Sequence, residues 1–166
     1  MKLLSIKQGR PTRLRLIKRQ STTLAFQEKA KINITDYESL VVAARQQVEP
    51  QSLLFVFLEA SLPKDYLEIE KSRFNSSQGG ALRPVMCVDK STQELSNFSA
   101  LVKESEQLEQ YWQIVLIACF SGRNGAAPSP VEIEQSLKQM AETVERGGDL
   151  TKFIAFNKSG EPIHFE

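Results

Sequence analysis

Four short apolar runs constrain the fold of this chain more than any other feature. They are rich in aliphatic, aromatic and β-branched residues, and runs of this length are typical of strands buried on both faces of a sheet. Segments with helical spacing of apolar residues lie between them. Each run stops at a polar residue: Leu53–Leu58 before Glu59, Val85–Val88 before Asp89, Ile114–Phe120 before Ser121, and Phe153–Phe156 before Asn157.

Helix-start signals separate the apolar runs. The strongest is Ser129–Glu132, which combines an N-cap serine, a proline at the first helical position and a capping-box glutamate. The helix that it begins is predicted to stop at Gly147. Capping boxes at Thr35–Glu38 and Ser91–Glu94 and a proline in Ser61–Pro63 predict three further helices.

The order of these elements, α-β-α-β-α-β-α-β-β, predicts one α/β domain. Residues 33–166 form the folded body, and residues 1–32 form a basic, poorly ordered N-terminal extension. Helical crossovers between consecutive strands favour a largely parallel central sheet of four to five strands, with helices packed on it. The Ser159-Gly160 turn predicts a C-terminal antiparallel hairpin. A thioredoxin-like mixed sheet is the structural alternative, without the redox C-x-x-C motif.

Charge is distributed unevenly along the chain. Residues 1–31 hold nine Lys and Arg against Glu28 alone, for a net charge of +8, and the remaining residues carry −7. A basic segment can contact nucleic acid, but this one carries no base-reading or zinc motif. An unstructured extension and an early start codon are the simpler interpretations. No membrane span or signal peptide is predicted, and a cytoplasmic location follows.

Few residues offer catalytic chemistry. His164 is the only histidine and is predicted to face solvent, and Cys87 and Cys119 fall inside apolar runs, where cysteine acts as a small hydrophobe. These residues do not form a nucleophile triad or a zinc site. Neither a Walker A motif nor G-x-G-x-x-G occurs. The sequence therefore predicts no metal and no cofactor, and favours a non-enzymatic protein without excluding catalysis.

Polar residues just past the predicted strands are the candidate ligand-binding residues. In parallel sheets this edge lines the ligand crevice. Glu59 and Asp89 would lie side by side there, and the pair could hold Mg²⁺ or simply return the chain to water. The loop after the third strand offers backbone N–H groups and a guanidinium to an anion. The candidates are Glu59, Asp89, Ser121, Arg123 and Asn124.

The stretch Gly79–Lys90, with Leu53–Phe57 before it and Phe153–Phe156 after it, resembles a family of small uncharacterised bacterial proteins. Its members often carry the automatic label "ribonucleotide reductase subunit alpha". The resemblance implies no catalytic residues. A reductase large subunit is several times longer and needs a radical cysteine and redox-active cysteine pairs, so the label is interpreted as a misannotation.

Three functional hypotheses follow. The leading one is a non-enzymatic module that binds a partner protein or a small ligand. The second is an enzyme or binder that acts on a phosphorylated or anionic ligand at the strand ends. The third and weakest is nucleic-acid contact through the basic N-terminal segment.

Overall fold

The sheet at the centre of the molecule is antiparallel throughout. The computed structural model describes residues 12–13, 16–17, 33–62 and 81–166. Within these residues seven strands form a sheet in the order β1-β4-β3-β5-β6-β7-β2, and all hydrogen-bonded neighbours run antiparallel. The strands are β1 Thr12–Arg13, β2 Leu16–Ile17, β3 Gln51–Ser61, β4 Ala81–Ser91, β5 Ile114–Ser121, β6 Ile154–Asn157 and β7 Pro162–Phe165.

The prediction of a largely parallel sheet is wrong, and β3 shows the physical reason. Eight consecutive residues of β3, from Gln51 to Leu58, are buried, so the strand is covered on both faces as its apolar run predicts. Its neighbours β4 and β5 nevertheless both run opposite to it. A continuous apolar run indicates that helices cover both faces of a sheet, and an antiparallel sheet can be covered in the same way.

Three helices in the described part of the chain sandwich the sheet. α1 and α2 pack on one face, the α1/α2 face, where the rings of Tyr37, Phe98 and Phe156 meet edge to face or tilted. α3 packs on the other, the α3 face, where Leu137 and Val144 cover the middle of the sheet. The helices are α1 Tyr37–Arg45, α2 Phe98–Glu106 and α3 Pro130–Glu145.

α1 and α3 begin at, or within one residue of, the predicted capping signals. α3 begins as predicted, because Ser129 accepts from the Glu132 N–H and the Glu132 carboxylate accepts from the Ser129 N–H. The helix ends before Gly147, whose φ of 69° suits glycine. α1 is capped by Asp36, one residue later than the predicted Thr35.

α2 begins later than predicted. The Glu94 carboxylate accepts from the Ser91 N–H at 2.8 Å, as in a capping box, but these residues form only a turn. The helix starts after Asn97, whose side chain accepts from the Ala100 N–H at 2.8 Å. A local capping pattern therefore does not by itself extend into a helix.

The four apolar runs are strands, and β6 and β7 form the predicted C-terminal hairpin. The predictions for residues 1–32, apart from β1 and β2, lie outside the described residues. The helix predicted from Ser61–Pro63 and the turn at Asn75–Gly80 fall largely in residues 63–80 and lie outside them too. Among the described helices, none is long and apolar enough to cross a membrane.

Candidate functional site

Glu59 and Asp89 lie toward opposite ends of the sheet. Glu59 pairs in register with Arg83 of β4 and forms an ion pair with it. Asp89 lies opposite Leu54, five residues before Glu59 along β3, which is about 17 Å at the rise of a strand. Adjacent strand ends require parallel strands, so the antiparallel sheet does not assemble the carboxylate pair expected for Mg²⁺. The described residues also contain no group of three or more His, Cys, Asp or Glu placed to hold a metal.

The loop after β5 is a tight turn. Arg123 and Ala126 exchange two backbone hydrogen bonds of 3.0 Å around the central residues Asn124 and Gly125. Those two residues have φ values of 54° and 75°, the left-handed conformations of a type I′ turn, which the Asn-Gly sequence favours. The Asn124-Gly125 pair was the sequence signal for this defined turn.

The hydrogen-bond donors expected to cradle an anion bind groups of the protein itself. The Gly125 N–H donates to the Glu49 carboxylate at 2.7 Å, and the Arg123 guanidinium forms an ion pair with Glu132. Ser121 Oγ accepts from the Gln51 amide at 2.9 Å. Ser121, Arg123 and Asn124 therefore lie together at the C-terminal end of β5, but Ser121 and Arg123 already bind side chains of the protein itself.

Two carboxylates lie on the α3 face of β4. Side chains alternate along a strand, so Asp89 shares the face of Cys87, which packs in the α3 cluster. Asp89 is half-buried and forms no ion pair with the described residues. Glu145, at the end of α3, has a buried Oε1 atom without a hydrogen-bond partner. The pKa of Cys87 is raised to about 12, mainly by burial and in part by the negative charge of Glu145. The Glu145 carboxylate therefore lies near Cys87, in the middle of β4.

The outer edge of β4 is the longest strand edge without a strand partner among the described residues. On its inner side β4 pairs with β3 from Ala81 to Ser91. On its outer side it pairs only at Ala81 and Leu82, with the two residues of β1. Within the described part of the chain, residues 83–91 have no strand partner on that side. Met86, Cys87 and Val88 are nevertheless fully buried, so the part of this edge that reaches solvent is at its two ends, at Arg83 and at residues 89–91.

A bulge divides this edge. Phe57 pairs with Met86 and Leu58 pairs with Pro84, which leaves Val85 as an extra residue in β4. A proline and a bulge limit indiscriminate pairing of an edge strand. The regular part that follows, Met86–Ser91, is six residues long and carries Asp89 in its middle.

Neither thiol is suited to nucleophilic catalysis. Burial raises the pKa of both Cys87 and Cys119 to about 12, so the reactive thiolate is scarce at neutral pH. Both cysteines are free, and they lie in strands on opposite sides of β3. His164 is half-buried in β7, opposite Ile17.

A shallow cleft of about 450 Å³ lies at the C-terminal end of α3. Its charged groups are of both signs, and three of them have partners within the protein: Arg146 is 3.7 Å from Glu142, and Asp149 accepts from the Thr151 N–H at 2.9 Å. This cleft therefore presents no converging set of like charges. Its lining residues are Gln139, Glu142, Thr143, Arg146, Gly148, Asp149 and Lys152.

Sequence reasoning found Asp89 but missed Glu145 and the β4 edge. Glu145 lies in the last turn of a helix, where a glutamate is ordinarily a solvent-facing residue, and no sequence pattern distinguishes it. The available signal for the edge was Pro84, because proline inside a strand is typical of an edge strand. Comparison of the chain with protein-family models, with curated proteins and with solved structures finds no match.

Proposed function

We propose that this protein is a non-enzymatic protein-binding module that takes an extended, basic segment of a partner protein as an additional strand on β4. The observation that carries the proposal is the outer edge of β4, where residues 83–91 have no strand partner among the described residues and residues 89–91 are partly exposed. Strand addition of this kind draws its affinity from backbone hydrogen bonds and its specificity from the side chains beside the edge.

Charge beside the edge supports a basic partner. The carboxylates of Asp89 and Glu145 both lie on the α3 face of β4, and Glu145 has an oxygen without a hydrogen-bond partner. A buried acceptor without a donor costs about 1–3 kcal/mol, so a lysine or arginine on the added strand would be favoured there. On the opposite face Lys90 already forms an ion pair with Glu104, so an added acidic residue has less to gain.

The chemistry of the described residues also favours binding over catalysis. Their thiols have raised pKa values, and the anion-binding donors after β5 bind Glu49 and Glu132. The hypothesis of an anionic ligand at the strand ends therefore has less support than the hypothesis of a protein partner. The cytoplasmic location and the family resemblance predicted from the sequence remain part of this proposal.

The test is a peptide titration of the full chain, labelled with ¹⁵N. The probe is a ten-residue peptide that alternates lysine and valine, and its controls are the same peptide with glutamate for lysine and the same peptide with alternate N-methylated amides. We expect saturable shifts of the amides of residues 83–91 with the lysine peptide alone, and several-fold weaker binding to the Glu145→Gln protein. Shifts that spare β4, or equal binding of the glutamate peptide, would refute the proposal.

A further inference from the structure

We infer that Asn124 is a site of spontaneous deamidation and that the carboxylate of Glu49 keeps this site unmodified in the folded protein. The reaction is intramolecular, because the backbone nitrogen of Gly125 attacks the side-chain amide carbon of Asn124. The site lies in the turn after β5 and is independent of the strand edge of β4 on which the proposed function rests.

The sequence and the surroundings of the turn both suit this reaction. Asn124-Gly125 is the only Asn-Gly pair in the chain, and glycine has no Cβ to hinder the approach of its nitrogen to the asparagine side chain. The space beside Gly125 is open, since a Cβ built there would have no neighbour within 4 Å. Both residues are exposed, so water reaches the product of ring closure.

Deamidation at this pair proceeds in two steps and consumes only water. In the first step a bond forms between Gly125 N and Asn124 Cγ, and the bond between Cγ and Nδ2 breaks. The side-chain nitrogen leaves as ammonia, together with the proton of the Gly125 N–H. In the second step one water molecule opens the five-membered succinimide at either of its carbonyl groups, which leaves aspartate or isoaspartate at position 124.

The Glu49 carboxylate opposes the first step at the attacking atom. The Gly125 N–H donates to Glu49 Oε2 over 2.7 Å. The nitrogen can attack only after it has given up its proton, because the lone pair of a planar amide is delocalised into the carbonyl group. A negative acceptor stabilises the protonated nitrogen and disfavours its anion. The contact with Glu49 must therefore break before the ring can close.

The backbone of the turn restrains the same atoms. Arg123 and Ala126 exchange two hydrogen bonds of 3.0 Å around the pair, and Asn124 has a φ of 54°. Ring closure needs rotation about the Cα–C bond of Asn124, which carries the Gly125 nitrogen away from Glu49. Deamidation therefore requires local opening of the turn, and Glu49 stabilises the closed form.

The modification would abolish the contact that prevents it. The succinimide nitrogen carries no hydrogen, so Gly125 can no longer donate to Glu49. Hydrolysis then places a new carboxylate at position 124, next to the one of Glu49, and isoaspartate also adds one carbon to the main chain. The loss of ammonia makes the change irreversible. Deamidation would thus detach the turn after β5 from the segment that precedes β3.

The test compares the deamidation rates of the full chain, of Glu49→Ala and of the control Glu38→Ala in mildly alkaline buffer. Glu38 is an exposed glutamate in the first turn of α1, whereas Glu49 follows the end of that helix. Mass spectrometry of the peptide that contains Asn124 and enzymatic methylation of isoaspartyl groups measure the product. A hydrogen bond to a charged acceptor favours the closed turn roughly tenfold to hundredfold. We therefore expect Glu49→Ala to deamidate at Asn124 at least about tenfold faster than the other two, and equal rates would overturn the inference.

Two further measurements separate the Glu49 contact from a general loss of structure. Glu49→Gln keeps the shape of the side chain but not its charge, and Trp112 fluorescence verifies that each variant is folded. This variant should also deamidate faster than the unmodified chain, and an unchanged rate would exclude a role for the carboxylate. In urea all the chains should share one fast rate, because Glu49 and Asn124 are then apart. A native rate of the unmodified chain equal to its rate in urea would show that the turn gives no protection.

Discussion

Replacing Ser105 with alanine removes the hydrogen-bond partner of a buried indole. The Trp112 Nε1–H donates to Ser105 Oγ over 2.8 Å, and both side chains are fully buried. Ser105 Oγ in turn donates to the carbonyl of Val102 at 2.6 Å, which orients the hydroxyl so that its lone pair faces the indole. Alanine at this position leaves the indole N–H without an acceptor in the core.

The expected loss of stability follows from two opposing effects. An unsatisfied buried donor costs about 1–3 kcal/mol. Alanine is the better helix former by about 0.5 kcal/mol, because serine competes for backbone hydrogen bonds. The free energy of unfolding should therefore fall by about 0.5–2.5 kcal/mol. For a chain of this size that lowers Tm by about 1–10 °C.

Urea unfolding followed by tryptophan fluorescence measures this loss directly, because Trp112 is the only tryptophan in the chain. The matched control is Ser99→Ala, an exposed serine on the same helix, which gains the helix propensity without losing a buried partner. Its free energy of unfolding should change by no more than about 0.5 kcal/mol. If Ser105→Ala proves as stable as Ser99→Ala, the reasoning from the buried hydrogen bond is refuted.

Three further predictions concern the thiols, a helix cap and the turn after β5. In the native protein, half-buried Cys119 should react with a thiol reagent faster than buried Cys87, and both should react far faster in urea. A native Cys87 that reacts rapidly would contradict its pKa of about 12, which burial raises. The Ser129 hydrogen bonds lower the pKa of Glu132, so the stability that its carboxylate contributes is present above its ordinary value of 4.5 and lost as the pH falls through the lowered one. Glu132→Gln should thus lower the free energy of unfolding at pH 7 and change it little near about pH 3. Urea unfolding measures this difference, and an equal loss at both pH values would refute the prediction. Gly122→Ala would bring a Cβ within 1.9 Å of the Ala126 oxygen and should lower the free energy of unfolding by at least about 2 kcal/mol. Gly125→Ala meets open space and should lower it by only about 1 kcal/mol, because of its positive φ. The reverse order in thermal unfolding would be evidence against the turn geometry.

The positions of most elements could be predicted because local chemistry determines them. Apolar runs become buried strands wherever helices can cover both faces, and the Ser129–Glu132 cap satisfies free backbone N–H groups regardless of the rest of the fold. Strand direction is not local. β5 and β6 are adjacent and antiparallel although α3 lies between them in the chain. Residues 122–153, which include α3, return the chain to the C-terminal end of β5, so β6 starts opposite Ile117 and runs back along β5.

The candidate site could be predicted only in part for the same reason. Glu59 and Asp89 are half-buried where the apolar runs end, but β3 and β4 each continue two residues beyond them. Antiparallel strands then send the two carboxylates toward opposite ends of the sheet. The donors of the loop after β5 were identified, whereas Glu49, which accepts from the Gly125 N–H, lies 76 residues away along the chain and belongs to no shared motif. Contacts of this kind depend on the complete topology.

The position of β3 between β4 and β5 affects how the chain can fold as it is synthesised. Both neighbours follow β3 in the chain, and β5 begins about 50 residues after β3 ends. At about 5–20 residues per second, one long apolar edge of β3 waits for roughly 3–10 seconds before its second partner exists. During that interval the run Leu53–Leu58 has the composition of an aggregation-prone segment. We therefore expect nascent chains that stall before Ile114 to aggregate more readily than the completed chain.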